Sequence, residues 1–127
     1  MALFDPTQGY RDLAEAFRAC PRGVEDAQLF LITAWNPGAV ARSSHHNRIA
    51  MAELLLFLAQ AGVENFPSAG SAGTWYEPGV AFFASDDELA LEVARRFGQL
   101  GYYRFNRERG YCIDVTGTFS TAALKPF

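Results

Sequence analysis

The segment QLFLITA, residues 28–34, is an almost unbroken apolar run. A strand with one solvated face alternates apolar and polar side chains, whereas a continuous apolar run of this length is typical of a strand covered on both faces. The run therefore predicts an interior strand. Other segments of the chain must then cover both faces of the sheet to which this strand belongs.

Helix and strand signals surround this interior strand. Apolar residues spaced i, i+3, i+4 and i+7 predict an amphipathic helix over residues 7–20. Periodicity and turn residues predict the later elements: a helix from Ser43 or Ser44 to about residue 61, strands near 63–69 and 75–84, a second core helix, and strands near 101–106 and 111–115. Pro67 restricts the strand at 63–69 to a sheet edge. Ser85 and Glu88 match a capping box at the start of the second core helix.

The order of these elements is α-β-α-β-β-α-β-β, and its middle contains the βαββαβ unit of the ferredoxin-like sandwich. The sequence therefore predicts an α+β fold: a ferredoxin-like βαββαβ sandwich with an extra N-terminal helix and a C-terminal hairpin strand. Right-handed crossovers put both long helices on one sheet face, and the N-terminal helix is expected to cover the other. A length of 127 residues suits a single domain, residues 1–127.

Charge and composition restrict the function classes. The formal net charge is −3 and the charges are interspersed, so we expect no nucleic-acid partner. No stretch reaches the eighteen or so apolar residues of a membrane span and no signal-peptide pattern is present, so we expect a cytoplasmic protein without a membrane partner. Cys20 and Cys112 lack CxxC spacing, which favours two reduced thiols. We expect no cofactor.

The connection AWNPGAVARSSHHN follows the interior strand and leads into a helix N-terminus. Backbone N–H groups there lack partners and face the positive end of the helix dipole, so a small anion fits. Asn36 tolerates turn geometry, while Arg42 and Ser43 add donors. The alternative is equally physical: Asn-Pro-Gly is a turn, and Ser43 or Ser44 is an N-cap.

Asn47 belongs to the helix stripe that also contains Met51, Leu54 and Leu58, so it should point toward the sheet. A buried amide needs hydrogen-bond partners. Backbone groups of residues 35–42 or the Asn36 side chain would make Asn47 a structural clamp. The other interpretation is direct contact with a ligand.

His45 and His46 are adjacent, and neither has a metal-ligand partner at i+3 or i+4. The sequence therefore predicts no metal site. His46 is a candidate general base, and the alternative for both histidines is a partly exposed surface position.

Trp75 and Glu77 share one face of a strand, because alternate residues point the same way. If that face is enclosed, Glu77 needs Arg42, a histidine or backbone donors, and burial would raise its pKa. The alternative is an exposed edge carboxylate. Gln99 brings a neutral amide to the same region or caps the second core helix.

Four short motifs occur in one order along the chain. They are TAWNP from Thr33 to Pro37, an Asn early in the next helix at Asn47, W-x-E-P from Trp75 to Pro78, and FGQ from Phe97 to Gln99. Together they resemble an uncharacterised bacterial family, the domain of unknown function 3293. The resemblance covers about residues 28–105 and implies no activity. The family pattern has an acidic residue before the helical Asn, where this chain has His46.

Three hypotheses for function follow. The first is a binding or regulatory module for a small molecule or anion, with its pocket at the junction of strand 28–34 and helix 44–61. Its predicted ligand-binding residues are Trp35, Asn36, Arg42, Ser43, Asn47, Trp75, Glu77 and Gln99. The second is an enzyme that uses Glu77 or His46 as acid or base. The third is a protein-interaction module. Whether the chain forms a small homo-oligomer is left open by the sequence.

Overall fold

The computed structural model describes residues 27–72 and 75–124, with only the backbone described for strand residues 70–72 and 75–76. Its strands and helices, in chain order, are β1 (Gln28–Ile32), α1 (Ser44–Gln60), β2 (Phe66–Ala72), β3 (Trp75–Ala84), α2 (Glu88–Arg96), β4 (Gly101–Phe105), β5 (Gly110–Asp114) and β6 (Ala122–Ala123). Neither helix is long and apolar enough to cross a membrane. The predicted helix over residues 7–20 and Cys20 lie outside the described residues, and Cys112 carries a free thiol.

The strands form one sheet in the order β2-β3-β1-β4-β5-β6, and every neighbouring pair is antiparallel. The α+β class is therefore confirmed, and β1 is the interior strand that its apolar run predicts. The described part of the sheet has six strands, whereas the sequence predicted five, namely the four of the βαββαβ unit and one hairpin strand. The predicted hairpin strand is β5, whereas the two-residue β6 was not predicted.

Both helices pack on one face of the sheet, which we call the helix face. Its core is formed by Phe30 and Ile32 of β1, Val80 and Phe82 of β3, and side chains of both helices, including Leu54, Leu58 and Val93. The rings of Phe30 and Phe82 stack with centroids 5.6 Å apart. Cross-strand aromatic contact of this kind adds to the stability gained from apolar burial.

The opposite face, which we call the far face, carries a second apolar cluster of Leu29, Leu31, Ala81 and Phe105. Leu29 and Leu31 of β1 are almost completely buried there, and Phe30 and Ile32 are equally buried on the helix face. The prediction that β1 is covered on both faces is confirmed. Pro67 lies in β2, which is an edge strand as predicted.

The helix starts test two capping predictions. The Ser43 hydroxyl accepts the His46 backbone N–H at 3.2 Å, which confirms Ser43 as the N-cap of α1. The capping box of Ser85 and Glu88 is wrong, because α2 begins at Glu88 and its N-cap residue, Asp87, makes no capping hydrogen bond with its side chain. Tertiary contacts explain the late start: the Asp87 carboxylate binds Arg104 and Tyr102 of β4 instead.

Candidate functional site

The loop between β1 and α1 has an unusual backbone. Asn36 and Ala39 both have positive φ, at 46° and 60°; Asn36 precedes a short 3-10 turn, Pro37–Ala39, and Ala39 is its last residue. Asn adopts this left-handed region readily, whereas Ala does so at a cost of about 1 kcal/mol or more. The loop therefore needs support from outside its own sequence.

Asn47 supplies part of that support. Its side chain is only 2% exposed, and its Oδ1 accepts the Asn36 backbone N–H at 3.0 Å. Its Nδ2 donates to Asn36 Oδ1 at 2.9 Å and to the Arg42 carbonyl oxygen at 3.4 Å. Asn36 Oδ1 also accepts the Arg42 backbone N–H at 3.0 Å. The predicted clamp contacts of Asn47 are confirmed.

The end of α2 holds the same loop from the other side. Gln99 Nε2 donates to the Trp35 carbonyl oxygen at 3.1 Å, and the Gly38 N–H donates to the Gly98 carbonyl oxygen at 2.8 Å. Gly98 has φ of 66°, and a Cβ there would lie 3.1 Å from the Cβ of Pro37. Glycine is therefore favoured at this position by its conformation, and a side chain here would press on Pro37.

The exposed part of the loop carries the remaining predicted residues. Arg42, Ser43, His45 and His46 are all exposed. His46 Nδ1 lies 2.6 Å from the Ser43 hydroxyl, and the two imidazole rings meet edge to face with centroids 6.0 Å apart. Within the described residues, no three His, Cys, Asp or Glu side chains are placed to hold a metal ion. This part of the loop is a solvated helix start.

Glu77 lies on the far face, because it is separated by two and four residues from Gly79 and Ala81 of the same strand. Burial raises the pKa of its carboxyl from about 4.5 to about 7. Among the described residues, no cation and no hydrogen-bond donor contacts this carboxyl group. The expected partners, Arg42 or a histidine, are therefore not at this carboxylate.

A cavity of about 60 Å³ opens beside Glu77, and we call it the Glu77 cavity. It is lined by Leu31, Ile32, Thr33, Ser68, Ala69, Glu77, Gly79, Gly101, Tyr102 and Tyr103. Two of these are glycines that cannot carry a side chain: a Cβ at Gly79 would lie 2.5 Å from the Ile32 carbonyl oxygen, and one at Gly101 would overlap that of Ile113. The strands approach so closely at Gly79 and Gly101 that neither position can carry a side chain, and the missing side chains leave the cavity open.

Ser68 is the second polar group of the Glu77 cavity. It faces Gly79 across the β2–β3 pair and is only 1% exposed. Its hydroxyl has no hydrogen-bond partner among the described residues. Among the described residues, the fully enclosed side-chain atom without a partner is Arg104 Nε and not the Ser68 hydroxyl, so the hydroxyl borders the cavity and is available to a ligand there.

Thr33 joins the cavity to the loop. It lines the Glu77 cavity, its hydroxyl donates to the Pro78 carbonyl oxygen at 2.6 Å, and it accepts the Trp35 backbone N–H at 3.0 Å. Of the predicted site residues, Glu77 lines this cavity. Trp35, Asn36, Arg42, Ser43, Asn47 and Gln99 belong to the loop or its supports and do not line it, and the Trp75 side chain is outside the described part.

Sequence reasoning missed two polar features. One is Ser68. The sequence pattern that pointed to a site there was weak: a small polar residue two positions before Gly70 in an edge strand. The other is the cluster of Asp87, Tyr102 and Arg104, in which Arg104 Nη1 lies 3.0 and 2.9 Å from the two carboxylate oxygens. Burial, then the hydrogen bond to Asp87, raises the pKa of the Tyr102 hydroxyl. This cluster fixes the start of α2 to β4.

Within the residues that the structure describes, these features define an α+β protein with a six-stranded antiparallel sheet, two helices on one face and, on the other, a mainly apolar cavity beside Glu77. A family model described as "Protein of unknown function (DUF3293)" matches residues 32–101, which is more than half of the chain, and the chain belongs to this family. The matched region contains the loop, its supports and most of the cavity. No curated protein and no solved structure matches the chain.

Proposed function

We propose that this protein is a small-molecule-binding module whose ligand occupies the Glu77 cavity. One observation carries the proposal: the cavity is lined by a carboxyl group and a buried hydroxyl, neither of which has a partner among the described residues. Ligand sites typically combine apolar walls with a few polar groups left free to orient a ligand. Leu31 and Ala69 supply apolar walls here, and Glu77 and Ser68 supply the polar groups.

The loop has a supporting role in this proposal. Asn36, Asn47 and Gln99 use their amide groups on one another and on the backbone, so they hold the end of β1 in place. Thr33, at that end, then forms part of the cavity wall. Direct ligand contact by Trp35, Asn36, Arg42, Ser43, Asn47, Trp75 and Gln99, and anion binding at the start of α1, stay predictions.

A second candidate function is catalysis of proton transfer by Glu77. The observation that favours it is a pKa of about 7 for the Glu77 carboxyl, raised by burial, because a general acid or base works best when its pKa is near the working pH. His46 is less suited, since it is exposed and bound to Ser43. A Glu77→Gln variant distinguishes the candidates: catalysis is abolished, whereas simple binding changes only in affinity.

We infer that the unit from β1 to β4 is ferredoxin-like, and the side-by-side order β2-β3-β1-β4 with a helix after β1 and after β3 supports this. A cytoplasmic location, a protein-interaction role and a small homo-oligomer stay predictions.

The proposal is tested by NMR with ¹⁵N-labelled protein and a library of small fragments of mixed charge. Fragments that bind should shift the backbone amides of Thr33, Gly79 and Gly101. Ser68→Val removes the hydroxyl and adds volume at the cavity, so it should abolish these shifts. Ser44→Val makes the same change at an exposed position and should leave them intact. Shifts confined to residues 35–44 would move the site to the loop, and a library without binders would overturn the proposal.

A further inference from the structure

We propose that the Glu77 cavity selects its ligand through a protonated primary amine. This inference rests on the proposed function, namely that the cavity binds a small molecule, and it names the chemical class of that molecule. The ammonium group would lie against the Glu77 carboxylate, and the Ser68 hydroxyl would bind a second polar atom of the ligand.

The charges around the cavity indicate that the ligand is a cation. Among the described residues, the cavity lining contains one carboxyl group and no lysine, arginine or histidine. A partly buried carboxylate without a counter-charge is unfavourable, because burial removes water that would otherwise solvate it. Since the described lining residues supply no positive charge, a ligand that supplies one is bound most favourably. An anionic ligand would add a second negative charge to the same small space.

The described lining residues offer few oxygen atoms that could coordinate a metal ion, and this favours an organic cation as the ligand. Calcium takes six to eight oxygen ligands, and magnesium requires near-octahedral geometry. Glu77 is the lone carboxylate among the described lining residues, and the Thr33 hydroxyl is already engaged with Pro78 and Trp35. Within the described residues, no set of three metal-ligating side chains is present. An ammonium group needs only two or three acceptors.

The size of the cavity limits the ligand. A volume of 60 Å³ has room for about four water-sized groups, at roughly 15 Å³ for each. An ammonium group, two methylene groups and a hydroxyl group fill that space. The methylene groups would contact Leu31 and Ala69, and the hydroxyl group would meet Ser68. A head group of the size of ethanolamine therefore fits, and a longer ligand would extend out of the cavity.

The protonation of Glu77 supports the choice of a cation. The other titratable groups among the described lining residues are the hydroxyls of Tyr102 and Tyr103. Burial together with Asp87 raises the pKa of Tyr102, so Tyr102 stays neutral near pH 7. Glu77 has a pKa of about 7 because of burial, so it is largely ionised at pH 8. Amine binding should accordingly tighten from pH 6 to pH 8.

Three probes of similar size and different charge test the inference at pH 8: ethanolamine, ethylene glycol and glycolate. Ethanolamine should give saturable NMR shifts at Thr33, Gly79 and Gly101, whereas the neutral and anionic probes should bind at least about tenfold more weakly. Glu77→Gln should weaken ethanolamine binding by at least about tenfold. Glu53→Gln, on the exposed side of α1, is the matched control and should leave it unchanged. Ser68→Ala, a second variant, should weaken binding severalfold.

Each other outcome overturns the inference in a recognisable way. Equal binding of ethylene glycol or glycolate, or full ethanolamine binding by Glu77→Gln, would remove the amine selection and leave a small-molecule site in place. Fragments that bind the cavity while ethanolamine does not would have the same consequence. Failure of ethanolamine together with failure of the whole fragment library would overturn both this inference and the proposed function.

Discussion

Asn47 and Asn36 form a reciprocal pair: the Asn47 amide accepts the Asn36 backbone N–H at 3.0 Å and donates to the Asn36 side-chain oxygen at 2.9 Å. The pair connects the first turn of α1 to the end of β1. It also holds Asn36 in its left-handed conformation, with φ of 46°. Asn47 is buried and Asn36 is partly buried, so replacing the Asn47 amide leaves its partners on Asn36 without hydrogen bonds.

Asn47→Ala should destabilise the protein by about 1 to 3 kcal/mol, because buried donors and acceptors would lose their partners. His45→Ala and His46→Ala should each cost less than about 0.5 kcal/mol, since both histidines are exposed. Urea unfolding followed by circular dichroism measures all three. Equal unfolding midpoints for the three variants would contradict the clamp.

Gly98→Ala should be more destabilising than Gly62→Ala. Both glycines have positive φ, at 66° and 71°, so both substitutions incur about 1 kcal/mol of backbone strain. A Cβ at Gly62 meets nothing within 4 Å, whereas one at Gly98 lies 3.1 Å from Pro37 Cβ. We expect an extra cost of about 0.5 to 1 kcal/mol for Gly98→Ala. Equal free energies of unfolding for the two variants would mean that the loop containing Pro37 shifts away from the new Cβ at no cost.

Local sequence patterns predicted the parts of the fold that local forces determine. The apolar run of β1, the span of β3 and a serine cap of α1 at Ser43 or Ser44 were all predicted, and so was the inward orientation of Asn47. Each of these depends on burial periodicity or on a cap within one element. The contacts of Asn47 with Asn36 followed from its position on the buried stripe of α1.

The cavity could not be predicted, because it depends on register between strands. The strand predicted at 63–69 is observed at Phe66–Ala72, and the pairing of Ser68 with Gly79 decides which face Ser68 occupies. A register shift of one residue would move Ser68 to the other face. The start of α2 was mispredicted for a similar reason, since Asp87 is bound by Arg104 from a distant strand.

Asp87→Ala should destabilise the protein more than Asp86→Ala. Asp87 binds both Arg104 and the Tyr102 hydroxyl, and its loss leaves the partly buried Arg104 without that partner. We expect a cost of about 1 to 3 kcal/mol, at the upper end of what a partly exposed cluster contributes. Asp86 only accepts the Glu88 N–H at 3.0 Å, so Asp86→Ala should cost about 0.5 to 1 kcal/mol. A larger cost for Asp86→Ala, measured by urea unfolding, would contradict this assignment.

Glu77→Gln should stabilise the protein at pH 8 and leave its stability unchanged at pH 4. Burial raises the pKa of Glu77 from about 4.5 to about 7 on folding, so the folded protein holds this proton more tightly than the unfolded chain. Below about pH 4.5 both states are protonated, and the stabilising contribution of the protonated group is fully present. Stability then declines as pH rises through 7, because the unfolded chain ionises first. This pKa shift corresponds to a change of about 3 kcal/mol at most in the free energy of unfolding. Partial solvent access to Glu77 reduces the expected change to about 1 to 2 kcal/mol.

Urea unfolding of the wild type, Glu77→Gln and Glu53→Gln at pH 4, 6 and 8 measures this effect. The advantage of Glu77→Gln over the wild type should be absent at pH 4, partial at pH 6 and complete at pH 8. Glu53→Gln replaces an exposed carboxylate on α1 and should follow the wild type at all three pH values within about 0.5 kcal/mol. The same difference between Glu77→Gln and the wild type at pH 4 and pH 8 would show that Glu77 is solvated, and it would remove the unpaired carboxylate on which the proposed cavity function depends.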